Sequence, residues 1–339
     1  MRRDLVHGGA LDIMRSTYPN APLPWVDLST GINPWPYPCG TPDPAAFAHL
    51  PTLSEAMQCR EAWAATLGVV PDALLLAPGS ELLIRMLPDI IRPRSVAIVS
   101  PTYGDHAESW QRSDATVTRI SDPSDLPDHA DCLVVTNPNN PDGRIFDPDE
   151  LDRVRHALVR RGGWLIVDEA YADLSPQVSL APKAGAEGLI ILRSFGKFYG
   201  LAGVRLGAML APEPVRTAVA DRLGAWPVST LALSIGTQAF ADTSWQSRTR
   251  SRLAEAAARL DAFLSAAGME QITGTTLFRY VRVKKAHGVF ARLAEAGIYV
   301  RRFRHSASHL RIGLPATDTA GRRLADALRA SSTAPDRRP

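Results

Sequence analysis

At 339 residues the chain can bury a large core and a smaller second one, and its 45% hydrophobic and 22% charged residues fit a folded globular protein, not a disordered or membrane-spanning one. A net charge of +3, with the arginines spread along the chain, offers no basic stripe for a nucleic acid. Three cysteines, Cys39, Cys59 and Cys132, are far apart and odd in number, which argues against a disulfide framework and a close-spaced zinc site, so no metal is expected.

The opening MRRDLVHGGALDIM has two arginines but no continuous apolar run behind them, so no signal peptide is expected and a cytoplasmic location follows. Residues 1–50, with PLPWVDLSTGINPWPYPCG, lack a sustained helical period and read as extended chain, of which 1–40 form an N-terminal arm. From LSEAMQCREAWAATLGV onward helical and strand patterns alternate. SVAIVS, CLVVT, WLIVD and LIILRS are short apolar, β-branched runs between helical stretches, the pattern of a mainly parallel sheet covered by helices. One helix is well marked, with Asp147 as its cap, Pro148 at its first position, Glu150 in its first turn, and Gly162 and Gly163 at its end. After about residue 225 the pattern changes to a long Ala/Arg/Leu helix near Trp245 to Ala267, then the short strands LFRYVRV and HLRIGL with helices around them. This divides the chain into a large domain over 41–225, a smaller α+β domain over 226–330 and a disordered tail over 331–339.

In a parallel α/β sheet, ligands bind outside the carboxyl ends of the strands. The polar residues of interest fall there: Asn137, Asn140 and Gly143 after CLVVT, Asp168, Glu169 and Tyr171 at the end of WLIVD, and Ser194 and Lys197 at the end of LIILRS. Each has an ordinary alternative, since Asn-Pro pairs make turns, a strand-end Asp caps helices, a buried Tyr fills cores and a loop Lys is often only solvated. Three such groups at three successive strand ends point to a ligand site. Gly79 and Ser80 precede an apolar-periodic helix whose first free N–H groups, aided by the helix dipole, suit a phosphate.

With GS at 79–80, PTY at 101–103, NPNNPDG at 137–143, DEAY at 168–171, SFGKFYGLAGVRLG at 194–207 and LRIG at 310–313, the sequence resembles the fold-type I pyridoxal 5'-phosphate enzymes of the aminotransferase class over about residues 25–325. That resemblance implies a seven-stranded, mainly parallel sheet with a smaller C-terminal domain, a homodimer, and pyridoxal phosphate held covalently by Lys197. Asp168 would pair with the pyridine nitrogen, Tyr171 and Asn140 with the ring's 3'-oxygen, and Tyr103 would stack on its face. Gly79, Ser80, Ser194 and Arg205 would hold the cofactor phosphate, and Arg311 a substrate carboxylate. Leu50 stands where many relatives carry a tyrosine that reaches the neighbouring subunit's cofactor phosphate, which puts that contact in doubt.

The ends of the chain narrow the reaction. LVHGGALDIM, WVDLSTGINPWPYP and GIYVRRFRHSASHLRIGLP resemble segments of the threonine-phosphate decarboxylases of cobalamin biosynthesis. That subgroup implies decarboxylation of L-threonine O-3-phosphate, a small phosphorylated amino acid, with histidinol-phosphate aminotransferase as the alternative. Arg311 can serve one anionic end and Arg301 the phosphate, with His7, Gly31, Asn33 and Arg302 as further candidates, although Arg302, Arg304 and His7 also read as plain surface residues. No DNA-binding segment accompanies the motifs and no G-x-G-x-x-G follows the first strand, which disfavours a cofactor-binding regulator and a nicotinamide dehydrogenase.

Overall fold

The structure, a computed structural model, describes residues 7–41, 43–304 and 306–333. Among the described residues twelve strands occur in chain order. The first six are β1 (Val26–Leu28), β2 (Leu74–Ala77), β3 (Ser95–Val99), β4 (Thr116–Ile120), β5 (Cys132–Thr136) and β6 (Trp164–Asp168). The rest are β7 (Leu189–Ser194), β8 (Gly207–Leu210), β9 (Glu270–Thr275), β10 (Phe278–Arg282), β11 (Ile298–Phe303) and β12 (Ser306–Gly313). They belong to two compact units. One is Pro36–Ser247; the other joins the chain up to Trp35 to the chain from Arg248 onward.

In the unit Pro36–Ser247 a seven-stranded sheet runs in the order β2-β8-β7-β6-β5-β3-β4, all parallel except β8. Every residue of β3 and β5 is buried, which is why these strands read as continuous apolar runs without alternation. β4 closes one edge and carries exposed Thr116 and Arg119, which blunt it against further pairing. The helices start where the sequence caps them. Asp147 accepts from the N–H groups of Asp149 and Glu150 at the head of Pro148–Val159, and Thr52 and Glu55 form a reciprocal capping box at the head of Leu53–Leu67.

The other unit holds a five-stranded sheet in the order β1-β11-β12-β10-β9, antiparallel except for the β1–β11 pair. The arm is therefore more than extended chain: it contains the helix Leu11–Thr17, and β1 pairs Val26 with Ile298 and Leu28 with Val300. Arg323 fastens it further, donating to the carbonyls of Pro22 and Pro24 at 2.6 Å each.

The boundaries expected at 40/41 and 225/226 both move. Residues Pro36 to Gly40 go with the larger unit because the Tyr37 N–H donates to the Tyr199 carbonyl (2.9 Å) and its ring meets Trp245 edge-on. The helix Thr230–Ala241 goes there too, because Phe240 stacks on Trp63 of Leu53–Leu67 with ring centroids 4.4 Å apart. Of the expected tail 331–339, residues 331–333 continue the helix Asp318–Thr333, and the remainder lies outside the described residues. Among the described residues no helix is long and apolar enough to cross a membrane.

Candidate active site

At the carboxyl ends of β2, β3, β5, β6 and β7 lies a cavity of about 210 Å³. These five parallel strands each deliver part of its wall: β2 leads to Gly79 and Ser80, β3 to Tyr103, β5 to Thr136 and Asn140, β6 to Asp168 and Tyr171, and β7 to Ser194 and Lys197. Arg205 and Leu206 enter just before β8, the antiparallel strand that starts at this same end.

The anionic-ligand corner is built by close approach of backbones. Gly79 has φ +89° and a side chain there would reach within 2.9 Å of the Arg205 guanidinium. A Cβ on Gly207 would lie 2.5 Å from the Ser80 nitrogen, so only hydrogen at 207 lets β8 run against the start of helix Ser80–Ile91. The first N–H groups of that helix and the Arg205 guanidinium thus share one corner with Ser194.

Asp168 is buried and fixed at both oxygens. Oδ1 accepts from the Ala170 N–H at 3.0 Å, and Oδ2 lies 2.9 Å from Nε2 of the buried His106. An ionised carboxylate only accepts, so His106 Nε2 carries the proton in this contact. Glu169, the next residue, turns the other way: its carboxylate meets Arg193 at 2.7 Å, Ser179 at 2.5 Å and the Leu180 N–H at 2.6 Å. Arg193 also pairs with Asp173, and all three charged groups are buried.

The NPNNPDG loop divides its asparagines in a similar way. Asn137 bonds the backbone of Phe146 and Val178, and Asn139 the carbonyl of Pro101 and the hydroxyl of Thr102, so both build the loop while Asn140 lines the cavity. Lys197 sits in the short helix Phe195–Phe198, whose two phenylalanines are fully buried and hold it at the cavity wall. Lys183 is elsewhere, donating to Asp152 at 2.8 Å. Burial first, and the carboxylates of Glu81 and Asp105 next, push the Tyr103 phenol well above its ordinary range, so it remains a donor.

His7, Gly31, Asn33, Arg301 and Arg311 belong to the other unit. There Ser29 is a hub. Its carbonyl accepts from Arg311 Nη2 (2.8 Å), its hydroxyl accepts from the Gly9 N–H (2.8 Å), and a Cβ on Gly8 would come within 2.4 Å of its carbonyl oxygen, so the HGG run lies directly on the end of β1. The Tyr299 hydroxyl donates to the His7 carbonyl at 3.3 Å, and the buried Asn33 accepts from the Trp35 N–H at 2.9 Å. Arg301 and Arg311 are directly opposed across β11 and β12 and therefore share one face of the sheet. Arg302, one residue on, faces the other way, with Nη1 2.8 Å from His287 Nδ1 and its guanidinium over the Phe290 ring.

Sequence reasoning missed His106 and Glu81. His106 follows Tyr103 by three residues in the helix Gly104–Gln111, but its partner Asp168 is 62 positions away, a distance no local pattern spans.

The family model for aminotransferase class I and II matches residues 46–328. The chain belongs to this family. Relatives named threonine-phosphate decarboxylase include one from Pseudomonas aeruginosa, 40% identical over 96% of this chain and 97% of that protein. A second, from a Sinorhizobium species, is 42% identical over 97% and 98%. In fold, the chain is similar to the histidinol-phosphate aminotransferase of Sinorhizobium meliloti in complex with pyridoxal-5'-phosphate, with a TM-score of 0.80, 18% identity and coverage of 95% of this chain and 94% of that one.

The donor set fits pyridoxal phosphate: an amine at Lys197, a buried carboxylate at Asp168, and a helix start with an arginine that only glycines at 79 and 207 leave room for. Gly207→Ala is expected to displace the Gly79–Ser80 turn, cost about 1–3 kcal/mol of stability as an overpacked site does, and weaken pyridoxal phosphate binding. Thermal unfolding with a fluorescence titration measures both; unchanged affinity would contradict this account of the corner.

Proposed function

We propose that the chain is a pyridoxal 5'-phosphate-dependent decarboxylase that converts L-threonine O-3-phosphate to (R)-1-amino-2-propanol O-2-phosphate. The observation that carries the substrate class is the opposed pair Arg301 and Arg311. Two guanidinium groups on one face of a sheet suit a ligand with two anionic ends, each taken by a charge-assisted fork. Identity of 40 and 42% to two proteins named threonine-phosphate decarboxylase supports this substrate.

When bound, pyridoxal phosphate would supply an electron sink for the bond broken at the substrate's Cα. Lys197 would hold the cofactor through Nζ and later return a proton to Cα. Asp168 would keep the pyridine nitrogen protonated, and His106 and the Ala170 N–H stop that carboxylate from rotating away. Tyr171 and Asn140 would bond the 3'-oxygen and Tyr103 would cover the ring face. Ser80, Ser194, Arg205 and the N–H groups after Gly79 would hold the cofactor phosphate. Arg301, with His7, Gly31 and Asn33, would anchor the substrate's phosphate while Arg311 serves its other anion. Anchored by its phosphate, the substrate would present its carboxylate for loss as carbon dioxide, and Lys197 would supply the proton that takes the vacated position on Cα.

Purified protein given threonine phosphate is expected to release carbon dioxide without a keto acid, and borohydride should fix the cofactor on Lys197, read by peptide mass. Amino transfer to 2-oxoglutarate as the main activity would favour an aminotransferase acting on a substrate such as histidinol phosphate. Cofactor fixed on Lys183, or on no lysine, would remove the assignment of Lys197.

Arg301→Ala is expected to weaken threonine phosphate by about 10- to 150-fold, the 1.5–3 kcal/mol of a charge-assisted contact, and to leave the poor binding of unphosphorylated threonine almost unchanged. Equal losses for both substrates would show that Arg301 does not hold the phosphate.

The enzyme is also proposed to work as a homodimer. Phe47, Leu50, Leu53 and Met57 are 68, 62, 77 and 40% exposed along one short stretch, an apolar surface that a second copy would cover. Sedimentation should give twice the 36.7 kDa chain mass; a monomer would sink this reading.

A further inference from the structure

Tyr103 stands between β3 and the helix Gly104–Gln111, and Glu81 in the first turn of Ser80–Ile91, so the two reach the cavity from different strand ends. The Tyr103 hydroxyl lies 3.0 Å from Glu81 Oε2 and 3.2 Å from Asp105 Oδ2. Arg85, one turn beyond Glu81, donates through Nε to Glu81 Oε1 at 2.6 Å and through Nη2 to Asp105 Oδ2 at 3.0 Å. The four side chains close a ring: phenol, carboxylate, guanidinium, carboxylate.

Packing alone does not require this arrangement. An aromatic ring that only fills space needs no hydroxyl partner, whereas here one phenolic proton faces two carboxylates that would repel each other without the arginine fork across them. Glu81 also follows Ser80 directly. A carboxylate beside a helix start that receives a phosphate opposes the phosphate unless it is turned aside and neutralised. Arg85 supplies the charge, and the Tyr103 hydroxyl supplies the direction.

We propose that Glu81, Arg85 and Asp105 are positioning residues for Tyr103, and that their closed ring of hydrogen bonds ties the ring-covering face to the helix that grips the cofactor phosphate. The proposal rests on the pyridoxal phosphate reading of the cavity. It makes the face and the phosphate grip one rigid piece: the angle of the phenol is set by the helix whose start lies at the phosphate corner.

The test uses whole protein stripped of cofactor and titrated with pyridoxal phosphate, recording the dissociation constant and the visible-region circular dichroism of the bound cofactor, which reports ring orientation independently of turnover. Tyr103→Phe keeps the aromatic face and removes the hydroxyl, and Glu81→Gln keeps the shape and removes the charge. Each is expected to weaken cofactor binding about tenfold, the scale of one charge-assisted hydrogen bond, and to reduce the dichroism. The double variant should be no weaker than either single one, because both remove the same link. A wild-type dichroism signal in Tyr103→Phe, or losses that multiply to about a hundredfold in the double variant, would overturn the proposal. Absence of any visible band in the wild type would instead overturn the cofactor reading, and the proposal with it.

Discussion

Six strands running the same way force six chain exits onto one edge of the sheet, and every functional side chain of the larger unit depends on that constraint. Strands buried on both faces have no room for polar chemistry along their length, so polar residues collect where the chain leaves the sheet. β8 is the exception in direction and serves the same edge: running backwards, it brings Arg205 and Gly207 to the end where Ala77 and Ser194 finish their strands. The corner formed by Gly79, Ser80, Ser194 and Arg205 is thus the meeting point of β2, β7 and β8, and its closeness is what permits glycine alone at 207.

Buried charge is distributed in two layers at this edge. Toward the cavity, Asp168 is held by His106 and a backbone N–H, a polar environment that fixes the carboxylate at the cavity wall. Behind it, Arg193 bridges Glu169 and Asp173 and leaves none of those charges alone. Removing Arg193 would leave two buried carboxylates without their cation, a cost of several kcal/mol in comparable buried pairs. The rear group therefore stiffens the two strand ends that carry Asp168 and Ser194.

The smaller unit follows a different logic. Its sheet is mostly antiparallel and places residues by cross-strand pairing, which is how Arg301 and Arg311 come to face each other. Ser29 links three parts of the sequence here, the HGG run, the end of β1 and Arg311; Gly8 is the close-packing residue of this seat, and Gly9, at φ +87°, donates its N–H to the Ser29 hydroxyl.

Much of the architecture was legible in advance, because the apolar runs of β3, β5, β6 and β7, the capped helix after Asp147 and the ordered motifs carry local signals. The arm's strand was not. Val26-Asp27-Leu28 is too short to announce itself and becomes a strand only by pairing with Ile298–Phe303. The division into compact units was not legible either, because Tyr37 and the helix Thr230–Ala241 are claimed by aromatic partners distant in sequence.

The sequence by itself determined which chemical groups stand at the strand ends: the lysine, the carboxylates, the asparagines and the arginines. Only the tertiary structure decided which member of each adjacent pair does what. Asp168 lines the cavity and Glu169 the rear network, Asn140 the cavity and Asn139 the loop, Arg301 the shared face with Arg311 and Arg302 its reverse. The reason is geometric. Within β11 neighbouring residues point to opposite sides, and the pairing register settles which side is which; past the ends of β5 and β6 the side is settled by partners far away along the chain, such as His106 for Asp168 and Arg193 for Glu169.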